Sequence, residues 1–352
     1  MKILGIDASR SIKEKPTGVE RYSTEIIKAI LKINTGFKIR LYTPGLNPAF
    51  PKNIQRVISL RRFWTLFGLS SEMRKNKPDA LFVPSHVMPF FAPENSFTMI
   101  HDLSFKKFPK AYSGFQRFYL NYGAARAVKI CKKIFVPTNA VKDDLVNFFK
   151  AKPENVTVIH HGPLSMERGG EAVYEKFGLS KNEHIFFYLG RIEKKKNLET
   201  LLDAFAIVLK KFPRSKLVLA GSSGFGWRDI LRNAGANVVH PGFLAEKDVS
   251  ALFALATALV LPSLDEGFGM PILQAFEAGC PVVCSSIPAL AEVAEDAALY
   301  AENAKEFAEQ MEKLIKNKEL RDELVFSGRD RLKSFSWEKA AKAAMAEIEK
   351  KH

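Results

Sequence analysis

The densest run of chemistry-bearing residues is Ser263-Leu264-Asp265-Glu266-Gly267-Phe268-Gly269-Met270-Pro271. The apolar residues up to Leu261 read as a strand, the glycine-containing run as a loop, and the residues from Pro271 to just before Gly279 as a helix. Proline suits a first helical turn, where its missing N–H would have no partner in the helix. A turn of this kind aims backbone N–H groups and the positive end of a helix dipole at one point, which makes an anion site. Gly267 and Gly269 let a phosphate come close to the backbone, and Glu266 opens the loop. The same residues also suit a plain strand-turn-helix whose glycines serve geometry alone.

A second run, Gly190-Arg191-Ile192-Glu193-Lys194-Lys195-Lys196-Asn197, follows another apolar stretch and leads into a helix over 198–209. Arginine offers a planar fork to phosphate oxygens and lysine a compact charge. Lysines at a helix start oppose the helix dipole, so a compensating anion is expected there, although a solvated basic loop has the same composition. In the first half, Gly18 lies between an opening strand and a helix, and His101-Asp102 and Thr138-Asn139 each follow an apolar run. A histidine so placed suits a hydrogen bond to a substrate hydroxyl or a structural pair with the aspartate. Thr138 and Asn139 equally suit a helix cap.

These residues need strands to end where they begin. Short β-branched or aromatic runs alternate with amphipathic stretches throughout, the pattern of parallel sheets wound with helices. Strands are expected over 2–7, 37–43, 80–84, 97–101, 134–137 and 156–160. After a polar stretch at 164–183 the pattern restarts, with strands over 184–189, 216–220, 238–239, 257–261 and 281–284. The expected architecture is α/β, two Rossmann-like domains over 1–165 and 166–337 with a cleft between them. A last helix over 338–352 is free to pack back on the first domain. Ligands of such sheets bind at the carboxyl ends of the strands.

At 352 residues the chain is long enough for two such domains. Residues 1–166 carry 27 Lys and Arg against 11 Asp and Glu, net +16, and the remainder nets −1. The first half therefore faces an anion, a membrane surface included, or the charge serves solubility. Nucleic acid is not the expected partner, because no recognised binding module accompanies the charge. Cys131, Cys280 and Cys284 are odd in number and without CxxC spacing, which points to a reducing cytoplasm rather than disulfides or zinc. No apolar run approaches a membrane span, and the opening residues read as a buried strand instead of a leader. No DxD closes a strand, so no metal is implied, and no GxGxxG follows one, which counts against a nicotinamide enzyme.

Taken in order, these segments resemble the retaining glycosyltransferase family four, whose members have two facing Rossmann-like domains, the GT-B architecture. The resemblance rests on Gly18, His101-Asp102-Leu103-Ser104, Pro137-Thr138, Gly190-Arg191 with Lys196-Asn197, Gly221, Pro241-Gly242-Phe243-Leu244 and Glu266-Gly267-Phe268-Gly269. It implies that Arg191 and Lys196 bind the donor diphosphate and that the backbone of Phe268, Gly269 and Met270 grips a phosphate. It further implies Glu266 on the donor sugar, the Phe243-Leu244 loop on the base, His101 beside the transferred sugar and Gly18 near the phosphates. The family places a second glutamate eight positions after the first, on the ribose. Here Gln274 stands at that position, and its amide still accepts a hydrogen bond from a ribose hydroxyl, without the charge. Glu277 lies three residues further along the same helix.

The resemblance implies retaining hexosyl transfer from a nucleotide sugar, with no metal and no further cofactor. With Thr17-Gly18-Val19 and Lys196-Asn197-Leu198 added, it is a resemblance to members that build bacterial surface polysaccharide, many of them mannosyltransferases. GDP-mannose is the favoured donor and UDP- or TDP-sugars follow. Two segments, 59–67 and 105–133, mix cations with large apolar side chains. They suit an acceptor that is a glycan or a lipid-diphosphate-linked glycan at the inner face of an anionic membrane, as well as ordinary core helices. A sugar-nucleotide epimerase and a non-catalytic nucleotide-sugar binder are the alternatives on the same fold.

Overall fold

The computed structural model describes residues 1–12, 16–60, 63–85, 87–166, 170–224, 226–232 and 234–350. The chain forms two compact units, Met1–Gly162 with Phe335–His352, and Pro163–Ser334.

Unit 1 is built on seven parallel strands: β1 (Lys2–Asp7), β2 (Phe37–Thr43), β3 (Gln55–Val57), β4 (Ala80–Val83), β5 (Ser96–Met99), β6 (Lys133–Val136) and β7 (Val156–Val158). Their order is β3-β2-β1-β4-β5-β6-β7. Alternate side chains of one strand enter opposite layers: Ala80 and Phe82 join one apolar cluster, Leu81 and Val83 the other. Both faces of the sheet are covered, so its strands are apolar throughout rather than alternating. The helix Trp337–Glu349 closes the first layer. Ser336 caps it by accepting the Lys339 N–H, and Ala340, Ala341, Ala344, Met345 and Ile348 pack it into the cluster shared with the helix Gly18–Lys32. Glu349 Oε1 accepts the Gly36 N–H at 3.1 Å, tying the helix to the start of β2.

Unit 2 has six parallel strands: β8 (His184–Leu189), β9 (Ser215–Ala220), β10 (Val238–Gly242), β11 (Ala258–Leu261), β12 (Val282–Ser285) and β13 (Leu299–Ala301). Their order is β10-β9-β8-β11-β12-β13. In both sheets the chain runs outward in one direction and then restarts on the other side of its first strand. That reversal lies between β1 and β4 in unit 1 and between β8 and β11 in unit 2, the crevice where open sheets take ligands.

Several boundaries differ from expectation. β3 and β13 were not expected. Both are three-residue edge strands; all three residues of β3 and two of the three in β13 are only partly buried or exposed, so they lack the apolar run that marks the others. β4 and β6 stop just before Pro84 and Pro137, which have no N–H to give the ladder. β5 and β7 end before His101 and His160, which follow the strands rather than belong to them. Among the described residues no helix is long and apolar enough to cross a membrane.

Candidate active site

The reversal point of unit 2 gathers the residues with the most chemistry. β8 runs out through Gly190 into a basic turn, and β11 runs out through Ser263 to Glu266. The two loops are joined by the Leu264 N–H, which donates to the Lys195 carbonyl at 3.0 Å. That contact sets Lys196 beside Glu266: Nζ lies 2.6 Å from Oε1, with the side chains 13% and 17% exposed. Ser263 Oγ donates to the same Oε1 at 2.8 Å. Oε2 is engaged by neither donor, and Glu266 takes only one of the three ammonium N–H groups. The site thus presents a fixed cation and an oriented acceptor oxygen within one crevice.

Arg191 stands at the end of β8 with its guanidinium half exposed, 3.6 Å from Glu193 Oε2, while Lys195 lies 3.8 Å from the other Glu193 oxygen. The turn is shaped from beneath. Tyr188, buried in β8, donates its hydroxyl to the Arg191 carbonyl at 2.9 Å. Burial pushes this phenol well above its ordinary range, and Glu266 and Glu193 push in the same direction, so it remains a donor. Beside it, Gly221 at φ 144° follows β9, and a Cβ there would lie 1.8 Å from the Gly190 carbonyl oxygen. Gly221→Ala should therefore displace the Arg191–Lys196 turn and cost more than about 2 kcal/mol. Melting temperature and transfer rate should fall together, and native values for both would contradict this packing.

The helix Met270–Ala278 begins next to Glu266. Its N-cap, Gly269, sits at φ 87° and has no side chain, so the first-turn amides point to whatever the crevice holds. A Cβ at Gly269 would lie 2.5 Å from Leu290 Cδ2. The helix ends at Gly279, as its sequence suggests. Phe268 is buried, Gln274 is buried with its amide 3.9 Å from the Met166 sulfur, and Glu277 is exposed. Gln274 and Glu277 therefore do not share one environment, although they lie three residues apart. After β10, Phe243 is exposed while Leu244 is buried, so of this pair only the phenylalanine ring offers a surface to a base.

Unit 1 has its own cluster at the reversal point. His101 is buried with Nε2 3.1 Å from the Pro84 carbonyl, and Asp102 Oδ1 accepts the Ser104 N–H at 3.2 Å. The His101 ring packs on Tyr22 at 4.8 Å, and Tyr22 packs on His161 at 4.6 Å. Tyr22 lies on the helix that Gly18 starts, whose N-cap Thr17 and third residue Glu20 form a capping box. Thr138 Oγ1 accepts the Val141 N–H at 3.4 Å, so Thr138 caps the helix Asn139–Phe149, of which Asn139 is the first residue. Lys15, three residues before Gly18, lies outside the described residues, as do Arg61 and Arg62 of the segment 59–67.

Burial holds the imidazoles of His101 and His161 below the ordinary 6.5, His161 well below it and with the nearby His101 and His160 adding to the effect. A histidine with a depressed folded pKa stays neutral in the folded chain while the unfolded chain takes up a proton. The stability this contributes is complete above about pH 6.5 and is lost as the pH falls toward the folded values. The loss should reach up to about 1.4 kcal/mol per histidine for each pH unit below that point. Melting followed from pH 7.5 to 5.5 should show a smaller pH slope in His161→Phe than in the natural protein; equal slopes would contradict a buried neutral imidazole.

Two sequence profiles of known families cover most of the chain. Residues 16–162 match the family described as Glycosyltransferase Family 4, and residues 171–331 match Glycosyl transferases group 1. The chain belongs to these glycosyltransferases. It is 24% identical to the O-antigen chain mannosyltransferase B of Escherichia coli over 371 aligned residues, 96% of this chain and 97% of that one. WaaG, a glycosyltransferase involved in lipopolysaccharide biosynthesis, superposes with a TM-score of 0.76 at 16% identity, covering 99% of this chain and 100% of its own. HepE of Anabaena, solved with UDP-glucose, does so with a TM-score of 0.74 at 17% identity, covering 99% and 98%. The glycosyltransferase has the two Rossmann-like domains of these neighbours, the GT-B fold.

Three residues of the glycosyltransferase's clusters carry no motif. Ser263 fixes Glu266, and its only sequence signal is a hydroxyl three residues before a carboxylate. Tyr188 supports the Arg191 turn from inside a strand, where its ring reads as core. Asp7 ends β1 at the unit 1 reversal point, buried, with its Oδ1 accepting the Ser9 N–H at 2.9 Å and its carboxyl raised by burial. A carboxylate closing an apolar strand was the signal available for it.

Proposed function

We propose that this glycosyltransferase moves a hexose, with retention at the anomeric carbon and without a metal, from a nucleotide-diphosphate sugar to a glycan or lipid-diphosphate-linked acceptor. The observation that carries the proposal is the Lys196–Glu266 pair at the reversal point of unit 2, beside the uncapped start of the helix Met270–Ala278. Lys196, Arg191 and the amides of Gly269 and Met270 neutralise the departing diphosphate, with Gly267 and Phe268 shaping that turn. Preorganised charges of this kind supply the larger part of the rate. Glu266 Oε2 accepts from a hydroxyl of the sugar, Phe243 flanks the base and Gln274 takes the ribose. His101 is assigned a hydrogen bond to the transferred sugar, and Gly18 an approach to the phosphates, on the resemblance alone. The departing phosphate takes the acceptor proton, since no side chain among the described residues suits an enzymic nucleophile.

GDP-mannose is the first choice of donor because the relative that aligns over the full length is named a mannosyltransferase. A UDP-sugar is second, on the UDP-glucose held by HepE, and a TDP-sugar third. The basic unit 1 takes the acceptor, at the cytoplasmic face of an anionic membrane. Incubation with labelled GDP-mannose or UDP-glucose, an acceptor extract and a chelator should give labelled product with the donor's anomeric configuration. An isomerised donor formed without acceptor would favour an epimerase, and binding without turnover a carrier; either would overturn the transferase reading.

A further inference from the structure

The helix Gly114–Ile130 of unit 1 has two faces of different character. Gly123, Ala124 and Ala127 are buried against the core. On another face Phe115, Phe118, Tyr119 and Tyr122 stand at i, i+3, i+4 and i+7 and form one stripe. Phe115, Phe118 and Tyr122 are 66%, 70% and 38% exposed, and Tyr119 is half-buried. The rings pair along the helix, Phe115 with Tyr119 at 6.2 Å and Phe118 with Tyr122 at 6.5 Å, each pair within 17° of parallel. They offer flat apolar faces over a length of about 10 Å. Gln116 and Asn121, both exposed, flank the stripe on either side.

One end of the stripe meets a polar cluster at the unit 1 reversal point. Burial raises the Tyr119 phenol, Arg10 opposes that rise and Asp7 adds to it, so both charges reach its hydroxyl. Asp7, which ends β1, accepts from the Ser9 N–H at 2.9 Å and from the Thr65 hydroxyl at 3.4 Å. Arg10 is 40% exposed and lies 3.7 Å from the nearly buried carboxylate of Glu20. The stripe therefore leads outward from the crevice where an open sheet takes its ligand. Aromatic surface left in water marks an interaction site, and rings flanked by amides suit a partner with an apolar face and a polar edge. A pyranose ring is such a partner, with C–H bonds on its faces and hydroxyls around its rim.

We propose that this stripe seats the inner sugar rings of an oligosaccharide acceptor, so that the enzyme prefers an extended hexose chain to a single sugar. The site rests on the assignment of the acceptor to unit 1 and adds to it a preference for chain length. Titration of the full chain with methyl mannoside and with mannotetraose, followed by NMR, measures that preference. The natural protein should bind the tetrasaccharide at least about tenfold more tightly, the equivalent of about 1.4 kcal/mol. Phe115→Ala/Phe118→Ala, at two exposed positions, should shrink the advantage to within about twofold. Phe115→Tyr/Phe118→Tyr, which keeps the rings, should retain it. Phe326→Ala, 76% exposed on the helix Lys318–Leu332 of unit 2, should bind both sugars as the natural protein does. GDP affinity should be the same throughout. Equal affinity of the natural protein for the two sugars, absence of binding included, or an alanine variant that keeps the advantage would overturn the site. An alanine variant that keeps the advantage but loses binding to phosphatidylglycerol vesicles would give the stripe to a bilayer instead. A length preference without transfer would uphold the glycan site and overturn only the transferase reading.

Discussion

Lys196→Ala should lower sugar transfer by about 10²–10³-fold, the loss expected when one preorganised charge is removed from a developing anion. The ammonium is held 2.6 Å from Glu266 before any donor arrives, so it needs no reorganisation as the diphosphate departs. Charge on the bridging oxygen grows toward the transition state, and kcat should therefore fall further than KM rises. Because the pair is largely buried, the variant also leaves the Glu266 carboxylate without its cation, and some stability is lost with it. Melting and circular dichroism separate that loss from the catalytic one. A folded Lys196→Ala enzyme with an unchanged rate would remove Lys196 from the mechanism.

Glu266→Gln should separate binding from chemistry. In the natural site the carboxylate competes with a phosphate for the Lys196 ammonium. With an amide there, the lysine loses its internal counter-charge, and free GDP or UDP should bind about fivefold more tightly, the equivalent of about 1 kcal/mol. Transfer should nevertheless fall about 10–100-fold, since a charged hydrogen bond to the sugar contributes about 1.5–3 kcal/mol. Nucleotide affinity and turnover thus move in opposite directions. A variant in which both fall together would show that Glu266 only props the loop.

Most of the scaffold was legible in the sequence because buried parallel strands are continuous apolar runs. The β8 run, His184–Leu189, and the β2 run, Phe37–Thr43, end where the alternation of residue types says they should. The short edge strands β3 and β13 were not legible, since half-covered residues carry no such signature. The candidate site was legible as two separate loops. What the residues could not show is that Lys196 and Glu266, 70 positions apart, meet. That meeting depends on β8 and β11 being neighbours at the reversal of the sheet and on the Leu264–Lys195 backbone contact. The segment 59–67 shows the converse: its alternating aromatic and aliphatic residues do not form one face, because Trp64 and Leu66 are buried while Phe63 and Phe67 are exposed.

On the proposed function, the unit 2 crevice grips a nucleotide through its diphosphate. Calorimetric titration of the natural protein and of Arg191→Ala/Lys196→Ala, each with guanosine and GDP and then uridine and UDP, tests it most directly. The natural protein should bind the preferred diphosphate at least about 100-fold more tightly than its nucleoside, a difference of about 2.7 kcal/mol. In the double variant that advantage should shrink to a few-fold, with nucleoside affinity unchanged. A double variant that keeps the full advantage of diphosphate over nucleoside would contradict a diphosphate grip by Arg191 and Lys196.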